Sequence, residues 1–433
     1  MTGAMYAAIG GLKSHMSKLN VIGNNIANVN TYGYKAGRMT FKESMYTTSR
    51  SGSNGGVTAG GNNPSQIGYG CSVGSIDLNM SPSTYAPTGT GLDTYIDGEG
   101  FFLLGDKDGN IKGTTDLGKL DLSRVGDFWV DPDGYICNRD GKCLYGFARV
   151  QNPKYDPTKG ESADNAKTII SSQLVPLRVP LSAAAPTLDN GGLTAGQNGA
   201  AATPNWTEGE PVYPYLQEKT QDGYYLNDYA DPDTTKDGTN VYKYGGNTGG
   251  GGGGSTSELG YGKSLAAVAK NQDPNNPTIT DLHIQLKSMS VEKNGAITGI
   301  SADGETVIVG YIAIANADSP DGVTHIDGPY YKAMGGAGSL RVSALNGVLE
   351  GKYLGNQEGT VDANGNVTDP PNAADAILND KSIELRNGGL EASSTDIAEE
   401  FSQMITTQRG YQANTRIITV TDSMLEELVN MKR

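Results

Sequence analysis

The chain has 433 residues, and its 33 Lys and Arg against 48 Asp and Glu leave a formal charge of −15, which excludes nucleic acid and anionic membrane surfaces as electrostatic partners. Glycine supplies 61 residues while only 36% of the chain is apolar and 19% charged, a turn-rich balance with length for two to four domains of roughly 100 to 150 residues, the core divided among them. The longest apolar run, 307–315 with Gly310 inside it, falls far short of the roughly 20 residues of a membrane-spanning helix, and three cysteines and three histidines without ligand spacing predict no metal site.

In chain order, polar or charged residues recur from Thr2 through Lys13 to Asn20, so no cleaved secretory signal is expected. Met5, Ile9, Leu12, Met16, Leu19, Ile22 and Ile26 follow at spacings of 4, 3, 4, 3, 3 and 4, the seam of an amphipathic helix of about 28 residues. NNIANVNTYGYK comes next, where Asn24, Asn25, Asn28, Asn30 and Gly33 supply caps and turn chemistry. In the interior, DGEGFFLLGDKDGN, DFWVDPDGYICNRDGKCLYGF and VEKNGAITGISADGETVIVGYIAIA show short apolar or alternating runs punctuated by Asp-Gly and Asn-Gly, which predict β-hairpins. From about 151 to 280 the strand signal thins around the glycine run 249–254, which reads as a loop-rich insertion, and 351–380 is a second turn-rich stretch. Near the C-terminus Ile397, Met404, Tyr411, Ile418 and Leu425 recur every seven residues, reinforced by Phe401, Ile417, Met424 and Leu428; Ser394, Thr395 and Asp396 are N-cap candidates. The expected fold class is α+β multidomain, with terminal coiled-coil helices from both chain ends plus mainly-β inserted domains.

A solitary helix of the N-terminal kind is marginal in water, so each seam needs a partner. Two arrangements satisfy it: one intramolecular hairpin of the two ends, or seams shared among copies. Enzyme chemistry finds little support. Asp131, Asp133 and Asp140 sit in turns where Asp is expected anyway, the loops at Asp106 and Asp362 lack the glycine and late glutamate of a calcium loop, and Gly245–Gly254 carries no phosphate-loop lysine. No catalytic residue, cofactor or metal is predicted. Cys137 and Cys143 flank a short loop, and with Gly141 left-handed they would stand opposite each other; a disulfide and two half-buried small residues both fit.

The segment Gly11 to Phe41, GLKSHMSKLNVIGNNIANVNTYGYKAGRMTF, resembles the N-terminal signature of the bacterial flagellar rod and hook proteins, with Tyr34 where that family usually has Phe. Gly388 to Arg433, with its Gln408, Arg409, Tyr411, Gln412, Asn414 cluster, is similar to the family's C-terminal signature. The resemblance implies a self-assembling tube: residues 1–34 with 390–433 as an axial helical coiled-coil domain, 35–92 as an extended linker, 93–148 with 281–389 as a β-rich domain, and 149–280 as an inserted outer domain. It makes Met5, Ile9, Leu12, Met16, Leu19, Ile22, Ile26, Ile397, Phe401, Met404, Tyr411, Ile418, Leu425 and Leu428 the expected assembly interface. The implied partners are copies of the same chain in a helical homopolymer, other flagellar axial proteins (rod, hook cap and hook-filament junction), and the flagellar export apparatus that passes the chain out unfolded. No nucleic acid or membrane insertion is implied. Length favours a hook subunit, which passes motor torque to the filament, over a rod subunit; a secreted β-rich adhesin-like protein trimerised by its helices is the alternative from another class.

Overall fold

Long amphipathic stripes at the two chain ends give two long helices, and the alternating, glycine-punctuated interior gives antiparallel sheets. The computed structural model describes residues 2–52, 60–107, 111, 114–132, 134–151, 166, 168–182, 211–212, 215–220, 223–228, 286–301, 304–356, 360–361, 367–369, 372–379 and 381–431. The glycine run, most of the expected outer insertion, Asp133 and 362–366 lie outside these. No described helix is long and apolar enough to cross a membrane. The chain divides into two units, 1–84 with 392–433 and 85–391.

The first unit holds the N-terminal helix, Thr2–Ala27, and the C-terminal helix, Ile397–Met431. Of the three N-cap candidates Asp396 does the capping: its Oδ1 accepts from Ala398 N at 2.8 Å and Glu399 N at 3.3 Å. Ser394 instead accepts from Ala36 N at 2.8 Å. The helices run antiparallel. Asn25 reaches Glu400, while at Gly410 and Gly11 a Cβ would stand 2.8 Å from the His15 ring and 2.6 Å from the Asn414 side chain. Within the stretch expected as a linker, Gly37–Glu43 pairs with Cys71–Leu78 and Tyr46–Arg50 with Ser65–Gly68. This arm lies against the N-terminal helix where Gly70, at φ 93°, would place a Cβ 2.8 Å from Ala7 O. No other residue type fits that approach.

The second unit is built on a twelve-stranded sheet whose main path runs Leu286–Val291, Ala296–Ser301, Thr306–Ala317, Cys143–Gln151, Phe101–Gly105, Asp121–Ser123, Tyr330–Ala333 and Val323–His325. Phe102, Leu104, Leu144, Leu177, Ile297, Ile312, Ile314 and Leu385 are fully buried in its core. Phe128–Val130 pairs with Ile136–Asn138, and the Glu-Lys-Asn-Gly and Asn-Arg-Asp-Gly-Lys turns join paired strands as predicted. DGEG does not. Thr94–Asp97 pairs with Glu384–Asn387, whereas Phe101–Gly105 pairs with Asp121–Ser123, Thr306–Ala317 and Cys143–Gln151. The segment is therefore a crossing between sheets, correcting the hairpin reading. Gly98 and Gly100 sit at φ 140° and 138°, and their carbonyls accept from Arg124 Nη1 at 3.0 and 2.6 Å. Arg124 also meets Glu391 through two hydrogen bonds of 2.9 and 3.3 Å, both side chains 1% exposed. Two donors on two carboxylate oxygens compensate much of what desolvating both charges costs.

Strand pairing also carries the β unit past residue 149, the expected start of the insertion. Thr168–Pro176 aligns against Cys143–Gln151, with Ser171, Ser172 and Gln173 buried at 4% exposure or less.

Candidate assembly surface

The face each helix turns toward the other is small and polar. Ala8, Ile22 and Asn25 are buried on the N-terminal helix, and Glu400, Thr407 and Thr421 on the C-terminal one; Ser14, also buried, instead donates to Cys71 O of the β arm at 3.5 Å. Glycines at 11 and 410 let the backbones approach, each at a helix-propensity cost of about 1 kcal/mol relative to Ala. The threonines need no partner across the contact, since Thr407 Oγ1 donates to Gln403 O at 2.6 Å and Thr421 Oγ1 to Ile417 O at 2.7 Å. On the C-terminal helix the inward stripe is thus Glu400, Thr407, Asn414, Thr421, a seven-residue repeat set three residues beyond the apolar repeat at 397.

Of the fourteen residues expected at an assembly interface, only Ile22 is buried within the chain. Met5, Leu12, Leu19, Ile26, Met404, Ile418 and Leu425 are half-buried, and Ile9, Met16, Ile397, Phe401, Tyr411 and Leu428 are exposed. Sequence reading passed over Tyr6, Ile405, Val420 and Val429, which are exposed too; Ile405 lies four residues after Phe401 and Val420 four before Met424, each an i, i+4 step. Exposed Phe41, Met45, Tyr46, Ile67 and Ile76 on the β arm add to the apolar surface of the same unit.

One end of the helix pair is tied by a polar knot that the asparagine-rich motif supplies. Asn25 is 1% exposed. Its Nδ2 donates to Glu400 Oε1 at 2.8 Å and Gly37 O at 2.9 Å, and its Oδ1 accepts from Gly37 N at 2.9 Å and Tyr34 OH at 3.0 Å. Burial first, and the Glu400 charge second, raise the Tyr34 phenol above its usual range. Lys35, 1% exposed, donates to Ser81 O at 2.8 Å. Asn28 and Asn24 keep the local turn role, Asn28 Nδ2 donating to Asn24 O at 3.0 Å. Nearer the start of the helix, His15 packs tilted against Phe41 with ring centroids 5.5 Å apart, and burial followed by Lys18 lowers its pKa below 6.5.

Among the described residues no group of three or more His, Cys, Asp or Glu is placed to hold a metal ion. The turn aspartates have local duties: Asp131 accepts from Lys107 Nζ at 2.5 Å, and Asp140 from Tyr330 OH. What the helices offer is a surface, chemically suited to bury apolar area against another protein.

Comparison with known proteins finds likeness at both chain ends and along the chain. Residues 5–35 match the family model described as Flagella basal body rod protein, and residues 386–431 that described as Flagellar basal body rod FlgEFG protein C-terminal. The chain is 26% identical to the flagellar hook protein FlgE of Borreliella burgdorferi, over the whole of both chains. It is 27% identical to the flagellar basal-body rod protein FlgG of Bacillus subtilis, again over the whole of both, and 26% to the hook protein FlgE of Salmonella typhimurium over 98% of this chain and 99% of the other. The two matched segments hold the two long helices, and the likeness continues through the β unit between them: the chain carries the terminal domains of the flagellar rod and hook proteins and is similar to those proteins over its whole length.

Proposed function

We propose that the chain is the structural subunit of the flagellar hook, a helical homopolymer in which the outward faces of the terminal helices join neighbouring copies in coiled-coil fashion. The observation that carries this reading is the division of labour on the helices. Small and polar residues make the contact within the chain, which leaves Ile9, Met16, Ile397, Phe401, Tyr411 and Leu428 exposed. Burying one such side chain is worth about 1.5 to 3 kcal/mol, and packed copies bury many at once.

On this reading residues 1–34 with 390–433 form the axial layer, 35–92 brace adjacent subunits, and 93–148 with 281–389 form a β domain that Thr168–Pro176 extends. The subunit acts mechanically and not as an enzyme, passing torque along the polymer. Its partners are further copies, the rod, cap and junction proteins at the polymer's ends, and the export apparatus. Leaving the cell unfolded suits helices whose apolar faces are covered only by neighbours. The rod reading is the second, favoured by the full-length match to a rod protein. Immunogold labelling of isolated flagella separates them: label on the curved segment outside the cell envelope supports the hook, and label confined to the basal body overturns it.

A further inference from the structure

Cys137 and Cys143 face each other in register on antiparallel strands Ile136–Asn138 and Cys143–Gln151, their Sγ atoms 2.8 Å apart. Two unbonded sulfurs do not rest comfortably so close. The next pair outward, Asn138 and Lys142, carries a backbone hydrogen bond of 2.8 Å, so the cysteines occupy a non-hydrogen-bonded position, where opposed side chains approach most closely and the Cα separation lies at the short end of the disulfide range. The turn holds itself. Asn138 Oδ1 accepts from Asp140 N at 3.1 Å and Lys142 N at 3.0 Å, and Gly141 takes φ 84°. Over the sulfurs Tyr135 closes the cluster, with the Arg178 guanidinium 4.8 Å and the Lys107 ammonium 5.2 Å from its ring centroid. Both cysteines are at most 2% exposed.

We propose that Cys137 and Cys143 are joined by a disulfide in the mature, exported subunit, a covalent staple across the β-hairpin of the second unit. Export rests on the functional reading above; the geometry does not. A low-molecular-weight disulfide is the oxidant. One cysteine thiolate attacks it, releasing one small thiol and forming a mixed disulfide; the other thiolate then attacks the protein sulfur of that bond and releases the second small thiol. Two protons leave the cysteines, and the two electrons end on the small-molecule pair. Contact with Cys137 and burial push the Cys143 thiol well above its ordinary range once the hairpin has formed, so the bond closes while the chain folds. Afterwards the same burial shields it from reductants. A reducing cytosol keeps the chain open before export.

Peptide mapping tests this without a substitution. Trypsin cuts after Arg139 and Lys142, inside the loop, so peptides 125–139 and 143–149 stay together only through the bond. In full chain refolded with oxidised glutathione, and in chain from sheared appendages, alkylated before digestion, we expect one linked species that separates on reduction and disappears in Cys143→Ser. Reductant lowers the melting temperature of the wild-type β unit by about 5 °C or more and leaves Cys143→Ser unmoved. Alkylated Cys137 and Cys143 in both wild-type samples overturn the staple, as does a melt indifferent to reductant. Linked peptide in a refolded chain that never forms tubes contradicts the assembly reading and leaves the staple standing; tubes with alkylated cysteines do the reverse.

Discussion

The two units of this chain spend their apolar residues in opposite ways. In the β unit the large side chains are inside: Phe102, Leu104, Leu144, Ile312 and Leu385 have no exposure at all, and the deeply buried Arg124 has a bidentate partner in Glu391. In the helical unit glycine, threonine and asparagine lie between the helices, and Phe401, Met424 and Val429 are 50%, 52% and 68% exposed. The first pattern belongs to a domain that is complete when it has folded. The second is the pattern the proposed assembly needs, with apolar faces left for other molecules to cover, and on that reading the β unit is the more stable in an isolated chain.

The widest break of that comparison comes from truncation. Removing Met1–Val29 or Thr395–Arg433 should abolish polymers altogether and leave a cooperative calorimetric transition from the β unit; loss of that transition in both truncations would mean the β core depends on the helices. Core substitutions come next. Phe102→Ala should cost the β unit about 3 to 5 kcal/mol in denaturant unfolding, and Glu391→Gln, which strips Arg124 of its counter-charge, a similar about 3 to 5 kcal/mol, with helix content by circular dichroism unchanged.

Gly410→Ala sharpens the helical side, because the new methyl meets the His15 ring at 2.8 Å and either that ring or the helices must shift. A loss of about 1 to 3 kcal/mol is expected in the helical unit alone, and an unaffected helical transition would show that close approach is not needed. The smallest effect is that of pH. Burial and Lys18 hold His15 below its unfolded value of 6.5, so the unfolded chain takes up this proton first. The neutral ring's contribution is therefore full above about pH 6.5 and declines as pH falls from there toward the folded value. Melting of the helical unit between about pH 7.5 and 5.0 should show a decline that His15→Gln abolishes.

How much of this the amino-acid sequence disclosed depended on whether the physics leaves an apolar trace. The seven-residue repeat from Ile397 and the stripe from Met5 to Ile26 announced both helices, and Asn-Gly and Asp-Gly announced hairpin turns. The stripe that faces the partner helix was invisible, since Glu400, Thr407, Asn414 and Thr421 look like a solvated face until glycines 11 and 410 bring the backbones together. Asn25 carried the right identity in the wrong role: a cap residue by composition, a buried four-bond junction in the fold. Thr168–Pro176 escaped because Ser171, Ser172 and Gln173 interrupt its apolar pattern while being buried. DGEG misled as a turn because nothing local shows that Arg124, two strands on, holds its carbonyls.

The central claim, that copies meet through the outward apolar faces of the terminal helices, is tested most directly by electron microscopy of the purified full chain beside the double variant Phe401→Asp, Met424→Asp. Both side chains are exposed within the chain, so the variant should fold and melt within about 0.5 kcal/mol of the parent. The account predicts helical tubes from the parent and dispersed single subunits from the variant. Tubes of the same form from the variant, or only discrete small oligomers from the parent, would contradict it.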